Sequence, residues 1–522
     1  MLSLVLAAIL TAEPPAEDPP CLSVIGRESS GIWNGSSAEI AAFHAPTRRL
    51  FVTDARRGVR VIDLADPSKP RQVALHACEG LNSVAVHGDL VAVVRQPSDK
   101  TRRGSLDLLT PDGTSITSVE VGHGPDMVCF TPDGKRLLVA NEGEATADGS
   151  FDPDGSIGIV DLTAGVDKPV YRELGFTAFE ADRAALAMAG LHCVSPTASL
   201  QQDLEPEYIA VSPDGTRAFA TLQENNAIAV IDLAPGKERV ARIAPLGFKD
   251  FSKCGLDASD KDGGIHIEPA PVWGLYQPDT IECFEHAGEV WLATANEGEE
   301  RERGDVHEAS RLSKLKHALD ADLARDERLG RLNVSALRGD ENDDGVLDRI
   351  FCFGGRSVSL WKVKADGSIE QAWDSGSEIE RRTAEQMPAC FNSDGERGGG
   401  ADDRSDSRGP EPEGVEVATV DGRRLMFVGL ERTGGVMVWD ISDPVAPRFL
   451  QWLNPRDPTV RAGPGAGDVA PEGLLFIPAS ASPSGAPLFV VCNEVSGTTT
   501  IMRVQTGVAS HAAPGALREP RP

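Results

Sequence analysis

The stretch Glu205–Leu233, EPEYIAVSPDGTRAFATLQENNAIAVIDL, decides how the rest of the chain is read. It parses as a short alternating strand (Tyr208 to Val211), a turn at Ser212-Pro213-Asp214-Gly215, a second strand (Ala218 to Leu222), a loop, and a third strand ending Ile231-Asp232-Leu233. The same unit returns as GPDMVCFTPDGKRLLVANEGEA from Gly124, QPDTIECFEHAGEVWLATANEGEE from Gln277 and EPEGVEVATVDGRRLMFVGLERTGGVMVWDI from Glu411. A further copy starts at Ala470, and weaker copies start at Ala38 and Leu81, which makes seven. Short antiparallel strands in units repeated seven times predict an all-β fold, a seven-bladed β-propeller.

The mean spacing of about 75 residues exceeds the roughly 40–45 of a minimal blade. The excess falls in two expected insertions, 177–203 and 298–348, each predicted to be partly helical. The second contains HEASRLSKLKHALDADLARDERLGRL, whose pattern predicts a longer amphipathic helix or helix pair. Both insertions are expected to cap one face.

Composition narrows the function classes. The 522 residues hold 51 Lys+Arg against 80 Asp+Glu, a formal charge of −29, which repels phosphate backbones and excludes nucleic-acid binding through a basic surface. Such acidity favours divalent cations. Residues 1–20 open with the apolar MLSLVLAAILTA and continue with EPPAEDPP, reading as a signal peptide and Pro-rich leader of a secreted protein. Residues 21–507 are assigned to the propeller, expected to be monomeric, and 508–522 to a disordered tail; no stretch reaches transmembrane length. Nine cysteines without a CxxC pair read as isolated thiols rather than a zinc site.

Aligning the copies exposes two polar sets. Each first strand begins with a polar residue: Glu39, Asn82, Asp126, Glu207, Asp279, Glu413 and Glu472, five of the seven preceded by proline. Most second strands end in another: Asp54, Glu142, Glu224, Glu297, Glu431 and Glu494. In a hairpin those two positions are neighbours at the end away from the turn, so both sets should converge on one mouth of the central channel. Carboxylates packed together raise each other's pKa and need cations. Hard oxygen ligands without His or Cys favour Ca²⁺, then Mg²⁺ or Mn²⁺. The competing reading is that these residues hydrogen-bond neighbouring blades.

Outside the ring, Asp340, Asn342, Asp344, Gly345 and Asp348 have the front half of an EF-hand-type calcium loop, with Phe351 at the twelfth position where a bidentate Glu would stand. Leu256-Asp257-Ala-Ser-Asp260-Lys-Asp262 is comparable but less regular. Arg301, Arg356 and Arg432 are candidates to bind an anion, with structural ion pairing as the competing role. No nucleophile elbow, Walker loop, HExxH or Ser-His-Asp spacing occurs.

The stretches PDMVCFTPDGKRLLVANEGE, DLEPEYIAVSPDG, LDASDKDGGI, GLYQPDTIECF, LATANEGE, FGGRSVSLW, RSDSRGPEPEGVEV, GLERTGGVMVWDISDP and NEVSGTTTI make the sequence resemble the choice-of-anchor I family of secreted bacterial proteins. That family in turn resembles mesenchyme-specific cell-surface glycoproteins and is often labelled alkaline-phosphatase-like. The resemblance implies an exported propeller associated with calcium, and no catalytic residues carry over from it. Two functions compete: a calcium-binding extracellular protein that binds or scaffolds an extracellular surface component, and a metal-dependent phosphoric ester hydrolase acting on a phosphate-containing small molecule.

Overall fold

The computed structural model describes residues 21–195, 197–303 and 306–505. The expected leader (1–20) and tail (508–522) lie outside the described residues. Seven four-stranded antiparallel sheets follow one another along the chain, numbered here 1 to 7. Their first strands are Ala41–His44, Leu81–His87, Pro125–Phe130, Ile209–Val211, Ile281–His286, Pro412–Val420 and Pro471–Ile477. Each first strand packs on that of the next sheet, and Pro471–Ile477 returns to Ala41–His44. The ring is closed, and the fold is a β-propeller.

Sheets stacked in a ring are covered on both faces, which explains why the second strands read as continuous apolar runs rather than alternating ones. In Leu488–Asn493, Leu488, Val490 and Cys492 pack against sheet 1 with Leu50, Val52 and Ile62. Phe489 and Val491 face the other way, against Phe427 and Val438 of sheet 6. The same interdigitation recurs between the other neighbouring pairs, as with Phe219 and Val230 against Leu292 and Trp361.

Sheet 7 takes its outer strand, Leu22–Ser29, from the start of the chain, paired with Thr498–Val504. Buried Asp468 clasps this seam: it accepts hydrogen bonds from Thr498 Oγ1 (2.8 Å) and Thr500 Oγ1 (2.7 Å) and pairs with Arg27 (2.7 Å). From sheet 1, buried Arg60 pairs with Glu28 and donates to the Ser37 carbonyl at 2.8 Å.

Segments between sheets rise on the face where the first strands begin. The 177–203 insertion is partly helical as expected, with short helices Arg183–Met188 and Leu200–Asp203. The long amphipathic helix expected within 298–348 does not form. A single 3-10 turn, Leu312–Lys314, stands there beside strands Ala309–Arg311 and Asn333–Ser335. Leu312, Leu329 and Leu332 are drawn instead into a cluster with Phe251, Val272 and Ile350, and Asp320 accepts the Asp322 N–H locally. Tertiary packing and a local carboxylate turn override helix propensity. The two strands join Phe248–Asp250, Trp273–Leu275 and Phe351–Cys352 in a five-stranded mixed sheet. The helix Glu378–Gln386, between sheets 5 and 6, lies outside both expected insertions. Among the described residues no helix is long and apolar enough to cross a membrane, and the cysteines form no disulfide.

The clasp generates a stability prediction. Asp468→Ala strips two buried hydroxyls and Arg27 of their shared acceptor, and should cost about 2–3 kcal/mol by chemical denaturation. A loss below about 0.5 kcal/mol would show that the strand pairing alone closes the ring.

Candidate metal centre at the channel mouth

The acids that open the first strands stand on backbone irregularities. Register breaks fall between Leu81 and Ser83, Pro125 and Met127, Pro412 and Val415, and Pro471 and Leu474, so Asn82, Asp126, Glu413 and Glu472 sit in β-bulges. A bulge leaves its residue out of the ladder and re-aims its side chain. Just upstream, Gly124, Gln277, Glu411 and Ala470 hold left-handed backbone with φ of 55°, 46°, 51° and 60°, each immediately before the proline. Three of those four are not glycine, and such strain persists only where the surroundings over-determine it.

Neighbouring inner strands are stitched by backbone atoms of these bulges rather than by the acidic side chains. Gly473 N–H donates to the Glu39 carbonyl (2.9 Å), Asn82 Nδ2 to the Pro125 carbonyl (3.1 Å), and the Thr280 hydroxyl to the Glu413 carbonyl. The carboxylates are left over. Glu207 Oε2, Glu413 Oε2 and Glu472 Oε2 are buried and have no hydrogen-bond partner.

The expected ring resolves into parts with different chemistry. Glu142, at the end of a second strand of sheet 3, meets Glu207 and Glu224 of sheet 4, one carboxylate oxygen of each lying within 4.8 Å of the others. These three line a cavity of about 640 Å³ together with Glu144, Glu205, Gln223, Glu299, Glu300 and Arg301. Asp126, Asp279 and Glu472, with Asn82 and Tyr208, line a smaller cavity of about 60 Å³. Glu494 accepts a hydrogen bond from Ser36 Oγ at 2.6 Å, and burial, then Glu39 and Glu494, raises Glu472 well above the usual carboxylate range.

A third group, Glu297, Glu411 and Glu431, also brings three carboxylate oxygens within 4.8 Å, but arginines already hold it. Glu411 pairs with Arg404 (2.5 Å), Arg408 (3.1 Å) and Arg432 (3.2 Å); Arg408 also reaches Glu297 (3.0 Å) and Arg432 reaches Glu431 (2.9 Å). Burial alone would raise Glu411, yet Arg408, Arg404 and Arg432 pull it down to about 2.

The other acids of the mouth go the other way, Glu297 and Glu431 among them despite their arginines. Burial, then Glu224 and Asp279, drives Glu207 well above the usual carboxylate range; burial and Glu205 do the same to Glu142. Burial and Glu494 lift Glu39 to about 9, and burial and Glu224 lift Asp126 to about 6. Asp279, Glu297 and Glu413 are likewise raised, first by burial and then by neighbouring carboxylates, with Arg408 opposing the rise at Glu297. Glu431 reaches about 8 through burial despite Arg432.

The three anion-binding candidates face carboxylates and carbonyls. Arg356 pairs with Glu380 (2.9 Å) and donates to the carbonyls of Asp257, Ser405 and Ser407. Arg301 pairs with Asp203, Glu205 and Glu224, and Arg432 with Glu396, Glu411 and Glu431. In the Asp340–Asp348 loop, Asp340 accepts the N–H groups of Asn342, Asp344 and Gly345, and Asp348 accepts that of Glu341. Among the described residues this loop does not bring three carboxylates within 4.8 Å. In the comparable Leu256 loop, Asp257 accepts the His266 N–H at 2.7 Å, and burial lifts it to about 8.

Glu205, Glu411 and Arg408 were absent from the sequence-derived ring. A signal for the two glutamates existed: both stand two residues before a ring acid, in the repeated Glu205-Pro206-Glu207 and Glu411-Pro412-Glu413. Arg408 had none, since its segment belongs to no repeat.

With this geometry established, comparison with known proteins places the molecule. The model of the choice-of-anchor I domain matches residues 39–444, which include the whole mouth except Glu472 and Glu494. The chain belongs to the choice-of-anchor I family. This choice-of-anchor I protein is similar to gigasin-3a of Magallana gigas, 31% identical over 194 residues, covering 35% of this chain and 67% of that protein. It is also similar to a mesenchyme-specific cell surface glycoprotein of Strongylocentrotus purpuratus, 29% identical over 241 residues, covering 38% of this chain and 30% of that protein. Among solved structures it is similar to Kuenenia stuttgartiensis hydrazine synthase (TM-score 0.48, 14% identity, 90% of this chain and 96% of that one). The Myceliophteria thermophila Swd1 β-propeller domain is another (TM-score 0.48, 9% identity, 93% and 100%). The ring of sheets, rather than these likenesses, defines the fold of this family member.

The shifted acids set a pH dependence for chelator-treated protein. A carboxyl raised from 4.5 to about 8 or 9, as at Glu431 and Glu39, contributes stability below its unfolded pKa that is lost as pH rises through the folded value. Glu411, depressed to about 2, contributes above 4.5 and loses that contribution as pH falls towards 2. Denaturation midpoints in EDTA should therefore fall between about pH 5 and pH 9. A flat or rising profile over that span would mean that these acids do not titrate out of the fold as described.

Proposed function

We propose that the protein is an extracellular, divalent-cation-binding propeller that works by attachment to, or recognition of, a surface component, with its cation held at Glu142, Glu207 and Glu224. One observation carries this reading. Three carboxylates from two sheets converge within 4.8 Å, and two of them keep a buried oxygen, Glu207 Oε2 and Glu224 Oε2, without a hydrogen-bond partner. Buried polar groups are almost always satisfied, so oxygens left without a hydrogen bond in a carboxylate-rich pocket fit a hard cation. Ca²⁺ suits them best, with Mg²⁺ or Mn²⁺ as smaller alternatives. When bound, such an ion supplies a positive centre able to engage an oxygen-bearing ligand from the cavity side. Glu205 and Glu144 complete the acidic wall, and Gln223 Nε2 donates to Glu297 Oε2 (2.8 Å), bridging sheets 4 and 5.

Support for a surface setting comes from family membership and from the Strongylocentrotus purpuratus relative, described as a cell surface glycoprotein. A phosphoric ester hydrolase would need cationic groups facing an open metal position, whereas Arg301, Arg356 and Arg432 all face carboxylates or carbonyls.

Titration calorimetry and thermal melts test the proposal. Ca²⁺ at a hundredfold excess over Kd should stabilise the protein by about 2.7 kcal/mol, and Glu207→Gln or Glu142→Gln should remove most of that gain. Asp344→Ala, in the exposed loop, should leave the mouth's affinity unchanged. No heat of binding together with identical melting in Ca²⁺ and EDTA would sink the reading.

A further inference from the structure

Resting on that cation site, we propose that Arg301 is a tethered counter-cation that competes with the metal for Glu224 and so sets the affinity of the mouth for divalent ions. The side chain is held on the cavity wall, 6% exposed, between acids from two directions. Its guanidinium pairs with Glu205 Oε2 at 2.7 Å and Asp203 Oδ1 at 3.1 Å, and donates to the Asp203 carbonyl at 3.1 Å. Its third partner is Glu224 Oε2, at 3.4 Å. That contact is the longest of the three; like the shorter Glu205 pair it is an ion pair without hydrogen-bond geometry among the described residues. Glu224 is thus shared: one neighbour is the guanidinium, the others are Glu142 and Glu207.

The backbone around Arg301 is anchored independently of the cavity. Its N–H donates to Glu308 Oε2 at 3.1 Å, and Glu308 is hydrogen-bonded to buried His192 of the 177–203 insertion. The guanidinium therefore cannot swing far away when an ion arrives. On the far side Glu205, 1% exposed, keeps Oε1 without a hydrogen-bond partner, so the pocket retains an uncommitted buried oxygen even with Arg301 in place. Without metal the arginine offsets part of the negative charge of Glu205 and Glu224. With metal on Glu224, a dication and a guanidinium share one carboxylate at close range, and their repulsion holds the affinity down. Arg408, by contrast, pairs with Glu297, Glu299, Glu300 and Glu411.

The test measures Ca²⁺ affinity by titration calorimetry for the full chain, Arg301→Gln and Arg301→Lys. Loss of the positive charge should tighten Kd by about tenfold or more, while Arg301→Lys, which keeps the charge, should stay within about threefold of wild type. A purely structural arginine predicts a lower melting temperature for Arg301→Gln with Kd unchanged or weaker; that result overturns the inference while leaving the cation site standing. Binding by Arg301→Gln where wild type shows none upholds it. Absence of binding in all three overturns both readings. If Arg301→Gln does not fold, crystal structures of wild type with and without Ca²⁺ decide. The Arg301–Glu224 contact should open while the Arg301–Glu205 pair stays closed, and an unchanged contact overturns the proposal.

Discussion

Backbone meets backbone at the start of the inner strands, and the rest of the mouth follows from that approach. A Cβ on Gly473 would lie 2.1 Å from the Glu39 carbonyl oxygen, and one on Gly414 would lie 2.4 Å from that of Glu472. Only glycine permits strands to come so near. At this spacing the peptide groups satisfy one another, and the side chains of the preceding residues, Glu413 and Glu472, are turned towards a common space. Their crowding is a consequence of how tightly the ring closes.

Two solutions to that crowding stand side by side. Around Glu411 three guanidinium groups neutralise the acids from within the protein, and the carboxylate there is more acidic than in water. Around Glu142, Glu207 and Glu224 only Arg301 intrudes, and Glu142 and Glu207 are far weaker acids than usual. Glu411 is compensated by arginines from within the protein; the other acids, Glu297 and Glu431 included, rely more on protons or on cations from outside. Glu297 joins the halves, accepting from Gln223 of sheet 4 and from Arg408 of the segment before sheet 6.

Strand pairing and the polar positions could be read from the sequence because both obey local rules: alternation, turn residues and a recurring proline–acid corner. Which acids meet could not. Glu142 and Glu207 belong to different sheets, and how near they come depends on how one sheet packs on the next, which leaves no local pattern in the sequence. Glu205 and Glu411 were visible only as a twice-repeated Glu-Pro-Glu, easily passed over beside the ring acids. The 298–348 segment has helical propensity throughout, yet Leu312, Leu329 and Leu332 gain more by filling the gap beside Phe251 and Val272 than one helix stripe could offer. Arg356 was one of the anion-binding candidates, with a structural ion pair as the competing role. In fact carbonyls from three separate positions surround it.

The seam in sheet 7 has a consequence for the order in which the molecule comes into being. Leu22–Ser29 leaves the ribosome long before its partner strand Thr498–Val504. Until then sheet 7 lacks its outer strand, sheets 1 and 7 cannot bury Leu50 and Val490 against each other, and the ring stays an open arc. Contacts of such sequence separation are slow to form because a very long loop must close before they reward the chain. Closure brings Glu472 and Glu494 of sheet 7 beside Glu39 of sheet 1, whereas Glu142, Glu207 and Glu224 belong to the neighbouring sheets 3 and 4. The proposed cation site can therefore assemble on a chain still emerging from the ribosome, while the corner of Glu39, Glu472 and Glu494 waits for the ring to close.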